Sequence, residues 1–470
     1  MAFKRLLDLS IIISNIRLDM VEKALVITAP IRSHLVPAMY VAEILRERYE
    51  FHFAVDGDVL KQIAERNGHK TRTMSSFRIL VGMEPLFILQ QKRSRPTKWR
   101  ILKSVYKNEI LSFRQRELAK CITEINPSVI FVDIFASTDF IVLFTKFSSA
   151  KVIFINPMLS TYRVNGYLSI DQSEWIAGTP APRSEDNEFS FRDLVENPLQ
   201  VLLNVVRNRQ FQLLTARGGF SQKHPVAKNT VFVRLFKNIP ELILAPLELE
   251  VSPLVRRENQ FYLGLSIIAN RQETEVDPLF VESFEKILRR KRQRESVLIY
   301  CAFGTYYTGS DRHLLDFVTR LVSATSSIDN AEVILSVNKL VADTLRAQNS
   351  LPKNISLFKG VPQLNVLKHA DIFVTHGGLG SVKESIAHAV PLLVYPLDAE
   401  YDQPSNAFKV EFHRIGLRGV FRYERAVDMQ RKIEQILNDS SFRDRIVNLK
   451  LDLERRYEKE KLLRIIETLI

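Results

Sequence analysis

The sequence predicts an α/β protein in which two parallel-sheet domains stand in tandem. Three observations lead there. The chain has 470 residues, more than one hydrophobic core usually serves. Short runs rich in Val, Ile and Phe alternate with segments of helical spacing, the pattern of parallel strands covered on both faces. That alternation restarts in the second half.

In the first half, strands are expected at residues 24–28, 50–55, 129–132 and 152–155, with helices over 37–48 and 59–67. In the second half, strands are expected at 296–302, 332–336, 355–358, 372–375 and 391–395. Helices are expected there over 312–323, 362–369, 379–387 and 402–412. The polar, charged stretch after Gly264, with Pro278 inside it, reads as the boundary. The organisation is then an extension over 1–22, a first domain over 23–264, a linker over 265–295 and a second domain over 296–450. Residues 442–470 carry dense charge with helically spaced Ile and Leu. They read as an outer amphipathic helix, with 451–470 packing back on the first domain.

Composition narrows the class. With 46% hydrophobic and 25% charged residues, the chain has the make-up of a globular protein. Its two cysteines, Cys121 and Cys301, form no disulfide framework and fit a reducing compartment. The apolar run at 6–16 is broken by Asp8, lacks a convincing cleavage site and falls short of the ~18–20 residues that span a bilayer. A cytoplasmic protein is expected, with peripheral attachment to the inner face of a membrane as a variant.

The net charge is +13, which favours polyanions or anionic surfaces. Residues 92–107 hold seven Lys/Arg among Trp99, Ile101, Leu102, Val105 and Tyr106. Solvated helix faces explain such a run. Contact with a membrane or an amphiphilic acceptor explains it too, because apolar and basic groups alternate. No basic-aromatic platform for single strands is evident, so nucleic acid is not expected as a partner.

The most informative segment is THGGLGSVKE at 375–384. The buried run ADIFV precedes it and helical spacing follows, so the glycines sit at a strand-to-helix turn. Backbone can approach a ligand closely there, and free N–H groups at the helix start suit a phosphate. His376 could donate to a phosphate oxygen, and Glu384, one turn on, could reach a ribose diol. A paired glycine turn alone is more often structural. Three further blocks change the balance: FGT at 303–305, VPQLNVLKH at 361–369 and PLDAEYDQPSNA at 396–407. All four lie at expected C-terminal strand ends, where open α/β sheets bind ligands.

In order and spacing these blocks resemble the UDP-glycosyltransferase family, whose fold is GT-B: two Rossmann-like domains facing across a cleft. The resemblance implies a hexosyltransferase using a nucleotide-sugar co-substrate, UDP-hexose foremost, and no other cofactor. It implies that Val361 meets the base through its backbone and that Gln363 and Glu384 flank the ribose. Gly304, Thr305, His376, Gly378, Gly380 and Ser381 would hold the diphosphate. Asp402 and Gln403 would read sugar hydroxyls, where an unpaired buried partner penalises the wrong epimer. The chain departs from the pattern at two places. Plant members have a base-stacking tryptophan where this chain has Gly360, with Phe358 a candidate substitute. Many members have Asn in place of Gly380. Either UDP or dTDP fits.

In the first half, Ser33-His34 follows the first strand, where many members have Gly-His. The resemblance makes His34 the general base, and an acceptor hydroxyl needs one. Asp133, at the end of the strand over 129–132, would fix its tautomer, with Asp139 an alternative. Inversion by a single displacement is expected, the leaving diphosphate being stabilised by His376 and a helix N-terminus. No metal is expected. Asp56-Gly57-Asp58 spells the DxD of metal-dependent transferases but lies away from the donor blocks. Residues 75–117 and 156–240 are expected to shape a pocket for a small hydrophobic or lipidic acceptor. The rivals are a transferase acting on a lipid-linked sugar at a membrane and a silent relative that binds nucleotide sugar without turnover.

Overall fold

All five residues of the strand Val129–Asp133 are buried, as are all four of Ile372–Thr375. Strands this apolar need cover on both faces, and each lies inside an all-parallel sheet. The computed structural model describes residues 21–92, 95–147, 149–163, 197–304, 310–347, 351–398 and 401–470.

The first domain runs β1 (Glu22–Ile27), α1 (Arg32–Leu45), β2 (Tyr49–Val55), α2 (Asp58–Arg66), β3 (Lys70–Thr73), α3 (Glu84–Lys92), α4 (Lys98–Tyr106), α5 (Glu109–Ile125), β4 (Val129–Asp133), α6 (Phe140–Lys146), β5 (Lys151–Asn156), α7 (Pro198–Thr215), α8 (Phe220–Lys223), β6 (Glu241–Ile243) and β7 (Gln260–Tyr262). The second runs α9 (Pro278–Arg294), β8 (Val297–Ala302), α10 (Asp311–Ser326), β9 (Ala331–Ser336), α11 (Lys339–Ala347), β10 (Ile355–Phe358), α12 (Gln363–Leu367), β11 (Ile372–Thr375), α13 (Leu379–Ala387), β12 (Leu392–Val394), α14 (Gln403–Phe412), β13 (Gly416–Arg418) and α15 (Ala426–Asn438). Two last helices follow, α16 (Ser440–Arg456) and α17 (Lys459–Glu467).

The sheets share one winding. Their strand orders are β3-β2-β1-β4-β5-β6-β7 and β10-β9-β8-β11-β12-β13. Each chain path reverses direction between its first and fourth strands, β1 beside β4 and β8 beside β11. Loops leaving the C-terminal ends of such a pair diverge and open a crevice between them. Side chains alternate across the sheets. Leu25, Ile27, Ile130 and Val132 enter one core, while Ala24, Val26, Val129 and Phe131 enter the core on the opposite face. One core of the second sheet, with Leu298, Tyr300 and Phe373, continues into Ile243, Leu249 and Tyr262 of the first domain. The two domains are therefore packed together by apolar contact as well as by the chain between them.

The structure differs from the sequence expectation in several places. Helix α1 starts at Arg32, so Pro37 lies inside it and His34 sits on its first turn rather than in a loop. Pro37 removes one backbone hydrogen bond, but Leu35, Ala38, Met39, Val41 and Ala42 of the same helix are buried and hold it. Much of the expected linker is α9, which opens at Asp277, whose side chain accepts the Leu279 N–H. Phe280, Ile287 and Leu288 then bury its apolar stripe in the second domain's core. The single outer helix is two helices that break at Tyr457, a residue of non-helical backbone. Its ring packs on Gly264, where an added Cβ would come within 2.6 Å, and its hydroxyl donates to Glu248 at 2.9 Å. Beyond the break, Leu462 and Ile466 join the core around α1. The strands β3, β6, β7 and β13 are additional, each of only three or four residues. Of the extension, residues 1–20 lie outside the described residues, and Glu22 already belongs to β1.

Candidate functional site

At the first crevice, α1 carries His34 and β4 ends on Asp133. His34 Nδ1 lies 2.7 Å from Asp133 Oδ2. Asp133 is fully buried and His34 nearly so, at 5% exposure. The second carboxylate oxygen accepts the Phe135 N–H at 2.8 Å, and the Phe135 ring meets the imidazole edge-on at 4.8 Å between centroids. An ionised carboxylate only accepts, so the shared proton sits on Nδ1 and the lone pair is left on Nε2. Asp139 is not part of this pair. It is buried against Arg114, whose Nη2 donates to it at 2.6 Å.

At the second crevice, Gly304 follows β8 and His376 follows β11. The imidazole is wedged between two glycines. A Cβ on Gly378 would come within 2.6 Å of its Nε2, and one on Gly304 within 2.9 Å. Gly304 also has φ +74°, which an L side chain resists. Burial pushes His376 down to about 4, so the ring is a neutral hydrogen-bond donor near pH 7. Gly377, with φ +83°, packs its backbone on Val394. Helix α13 begins at Gly378 as N-cap. Its first turn reads Leu-Gly-Ser-Val, without a carboxylate to compete, so the backbone N–H groups suit an anion. Gly380 has open space where a Cβ would stand. Thr305 lies outside the described residues.

Beside this turn, Gln363 Nε2 donates to Glu384 Oε2 at 2.7 Å and approaches Ser381 Oγ at 3.4 Å. Tyr300 donates to Gln363 Oε1 at 3.3 Å. Val361 packs on the core below. Asp402 caps α14, and its Oδ2 accepts from Asn406 at 2.9 Å. Burial raises its carboxyl above the usual range, and the nearby His34 partly opposes the rise. Gln403 turns inward: its Oε1 accepts the N–H groups of Leu397 and Asp398 at 2.9 and 3.1 Å, so its acceptor oxygen is engaged by the loop rather than by a sugar. Phe358 cannot stack on a base. It is buried in the core against Phe280, 5.3 Å away. Asp56 accepts the Ser76 N–H at 2.8 Å and Asp58 opens α2.

Three residues at this cleft carried no sequence signal. Arg271 Nη1 donates to Glu384 Oε1 at 2.7 Å, and its Nη2 to Glu273 Oε1 at 2.6 Å. Arg32, two residues before His34, pairs with Glu273 in turn. Asn406 was visible only as part of a block. Lys383, on α13, is buried and donates to the Leu244 carbonyl of the first domain. Desolvation pushes its amine down to about 7. Lys409 crosses the same boundary to Glu250, 3.2 Å away.

Residues 338–454 match the family model "UDP-glucoronosyl and UDP-glucosyl transferase", which spans β10 to β13 and every second-crevice segment except the loop after β8. Two relatives from Bacillus subtilis (strain 168) are similar over parts of the chain. The uncharacterized UDP-glucosyltransferase YdhE is 28% identical over 196 residues, 42% of this chain and 47% of the relative. The NDP-glycosyltransferase YjiC is 32% identical over 126 residues, 26% of this chain and 30% of the relative. The matched stretches thus span less than half the length of these relatives. Among solved structures, the glycotransferase of kitacinnamycin superposes with a TM-score of 0.64 at 18% identity, covering 95% of this chain and 99% of that one. The architecture is the GT-B fold. Within that fold, the segment 338–454 is similar to the UDP-glycosyltransferase family.

Proposed function

We propose that this protein transfers a hexose from a UDP-sugar to the hydroxyl of a small hydrophobic or lipidic acceptor, inverting the anomeric centre. The observation that carries the reading is the connection of the two crevices. A buried His–Asp pair in one domain, and in the other a glycine turn and helix N-terminus suited to a diphosphate, are linked by the ion-pair chain Arg32–Glu273–Arg271–Glu384.

The chemistry follows from the groups present. His34 Nε2 takes the proton of the acceptor hydroxyl while its oxygen attacks the anomeric carbon. Asp133 holds the tautomer and stabilises the imidazolium that forms. The bond from the anomeric carbon to the diphosphate oxygen breaks, and the electron pair leaves with the diphosphate. That charge grows beside the first-turn N–H groups of α13 and the neutral His376 N–H, which are already oriented to receive it. Asp402, the N-cap of α14, would read sugar hydroxyls. The test is a panel of UDP, dTDP and GDP in thermal unfolding, followed by transfer from the matching sugar. UDP is expected to give the largest stabilisation. No stabilisation by any of the three overturns the reading.

One observation favours a membrane-borne acceptor. Helices α3, α4 and α7 pack side by side and leave Trp99 and Tyr106 81% and 77% exposed, along with Leu89 and Val205. Lys98, Lys103 and Lys107 are exposed around them. Aromatic and aliphatic groups ringed by cations suit the headgroup region of an anionic bilayer. Among the described residues no helix is long and apolar enough to cross a membrane. Co-sedimentation with vesicles rich in phosphatidylglycerol should occur at low salt and fall in Trp99→Ser. Equal binding to vesicles of phosphatidylcholine alone counts against it.

A further inference from the structure

The segment between β7 and α9 does more than join the domains. Residues 268–277 run through the cleft as a strap. At one end Gln272 exchanges hydrogen bonds with the Asn67 side chain, 2.9 and 3.3 Å long. At the other, the Asp277 N–H donates to the Gly360 carbonyl at 2.9 Å, and Asp277 Oδ2 accepts the Lys359 N–H at 2.9 Å. Between these anchors the strap lies on the second crevice. A Cβ at Gly360 would stand 2.5 Å from the Glu275 carbonyl oxygen, so only glycine lets the strap settle there. Arg271 reaches Glu384, and both side chains are below 10% exposed.

The geometry points to Arg271 as an internal occupant of the ribose subsite, which a nucleoside diphosphate must displace from Glu384 in order to bind. This rests on the donor-site reading of Glu384. The chemistry of the two occupants is shared. A ribose diol offers O–H donors to a carboxylate, and the guanidinium offers an N–H donor to one of the same oxygens, Oε1. A buried carboxylate is costly to leave without a cation. Gln363 donates to one oxygen of Glu384, and Arg271 supplies the charge at the other. Release need not strand the guanidinium, because Nε and Nη2 both already donate to Glu273, at 2.9 and 2.6 Å. Glu273 is therefore the place where Arg271 is kept when Glu384 turns to the ribose.

The strap has room to yield. Cavities of about 360 and 630 Å³ flank it, both lined by Tyr40, Ile267, Ala269 and Asn270. Thr274 Oγ1, buried in the strap, has no hydrogen-bond partner among the described residues. The strap also touches the catalytic helix, since Glu273 pairs with Arg32. Movement of Arg271 on nucleotide binding would thus be felt one turn from His34.

Calorimetric titration of the full chain with UDP tests the inference through two variants of opposite sign. Arg271→Met removes the competing donors and keeps the stem, so the UDP Kd should fall roughly tenfold. Glu273→Gln removes the charged resting place, so leaving Glu384 costs more and the Kd should rise severalfold. A purely structural strap would move both variants the same way. Weaker or unchanged UDP binding in Arg271→Met overturns the proposal, as does tighter binding in Glu273→Gln. Should Arg271→Met fail to fold, the direction in Glu273→Gln decides alone. If UDP binds neither the unaltered chain nor either variant, the donor-site reading itself fails, and the inference with it.

Discussion

His34 and His376 line corresponding crevices of two sheets wound in the same order, yet their surroundings assign them opposite tasks. His34 faces a buried carboxylate 2.7 Å away, which fixes its tautomer. His376 sits between Gly304 and Gly378 with no carboxylate among its described hydrogen-bond partners, and burial keeps it neutral. One environment suits a base and the other a donor. The contrast teaches that a histidine at a switch point takes its chemistry from the residues packed around it, not from its place in the topology.

Three experiments break or sharpen this contrast. The largest effect is expected from His34→Ala. Transfer should fall by about 10²–10⁴-fold, the usual worth of a general base, while UDP affinity stays within a factor of two or so. A matching loss of UDP affinity would move His34 out of catalysis and into binding. Next is Gly378→Ala. The added Cβ meets the His376 ring at 2.6 Å and must displace it, so UDP should bind about tenfold more weakly, with His34 chemistry otherwise intact. Unchanged binding would show that the position of His376 is unimportant to the donor.

The smallest effect is a pH dependence. The folded His376 titrates near 4 against an ordinary value of 6.5. The unfolded chain therefore binds the proton first as pH falls. Stability attached to this group is complete above about 6.5 and is lost progressively toward 4. Replacing His376 with Gln should remove that part of the slope, a change of a few degrees in Tm between pH 7 and 4.5. An identical slope in both proteins would mean that the ring is better solvated than its packing indicates.

The two halves of the molecule were unequally legible. The second domain disclosed its candidate site in the sequence because the constraints there are local. A phosphate-binding turn needs glycines at fixed backbone positions and a helix start directly after them, and THGGLGSVKE meets that need within ten residues. The matched family segment, 338–454, lies in that half, whereas the structural likeness spans both. Central strands such as β4 and β11 were visible as apolar runs because both of their faces are buried. The strands β3 and β13 were not. They lie at sheet edges, are short, and carry Lys-Thr-Arg-Thr and Gly-Leu-Arg, which is how edges avoid unwanted pairing. The start of α1 was misplaced because Pro37 reads as a beginning, whereas burial of the helix's apolar face overrides that local preference.

By itself the sequence determined the class of fold, the second-crevice turn and the candidate base, since each depends on residues close together in the chain or on a repeated pattern. Only the tertiary structure decided which acid His34 uses, that Phe358 belongs to the core, and that Arg271 lies on Glu384. These contacts join residues about 80 to 110 positions apart. Such pairings are set by how the two sheets wind and dock, and no local preference of either partner encodes them.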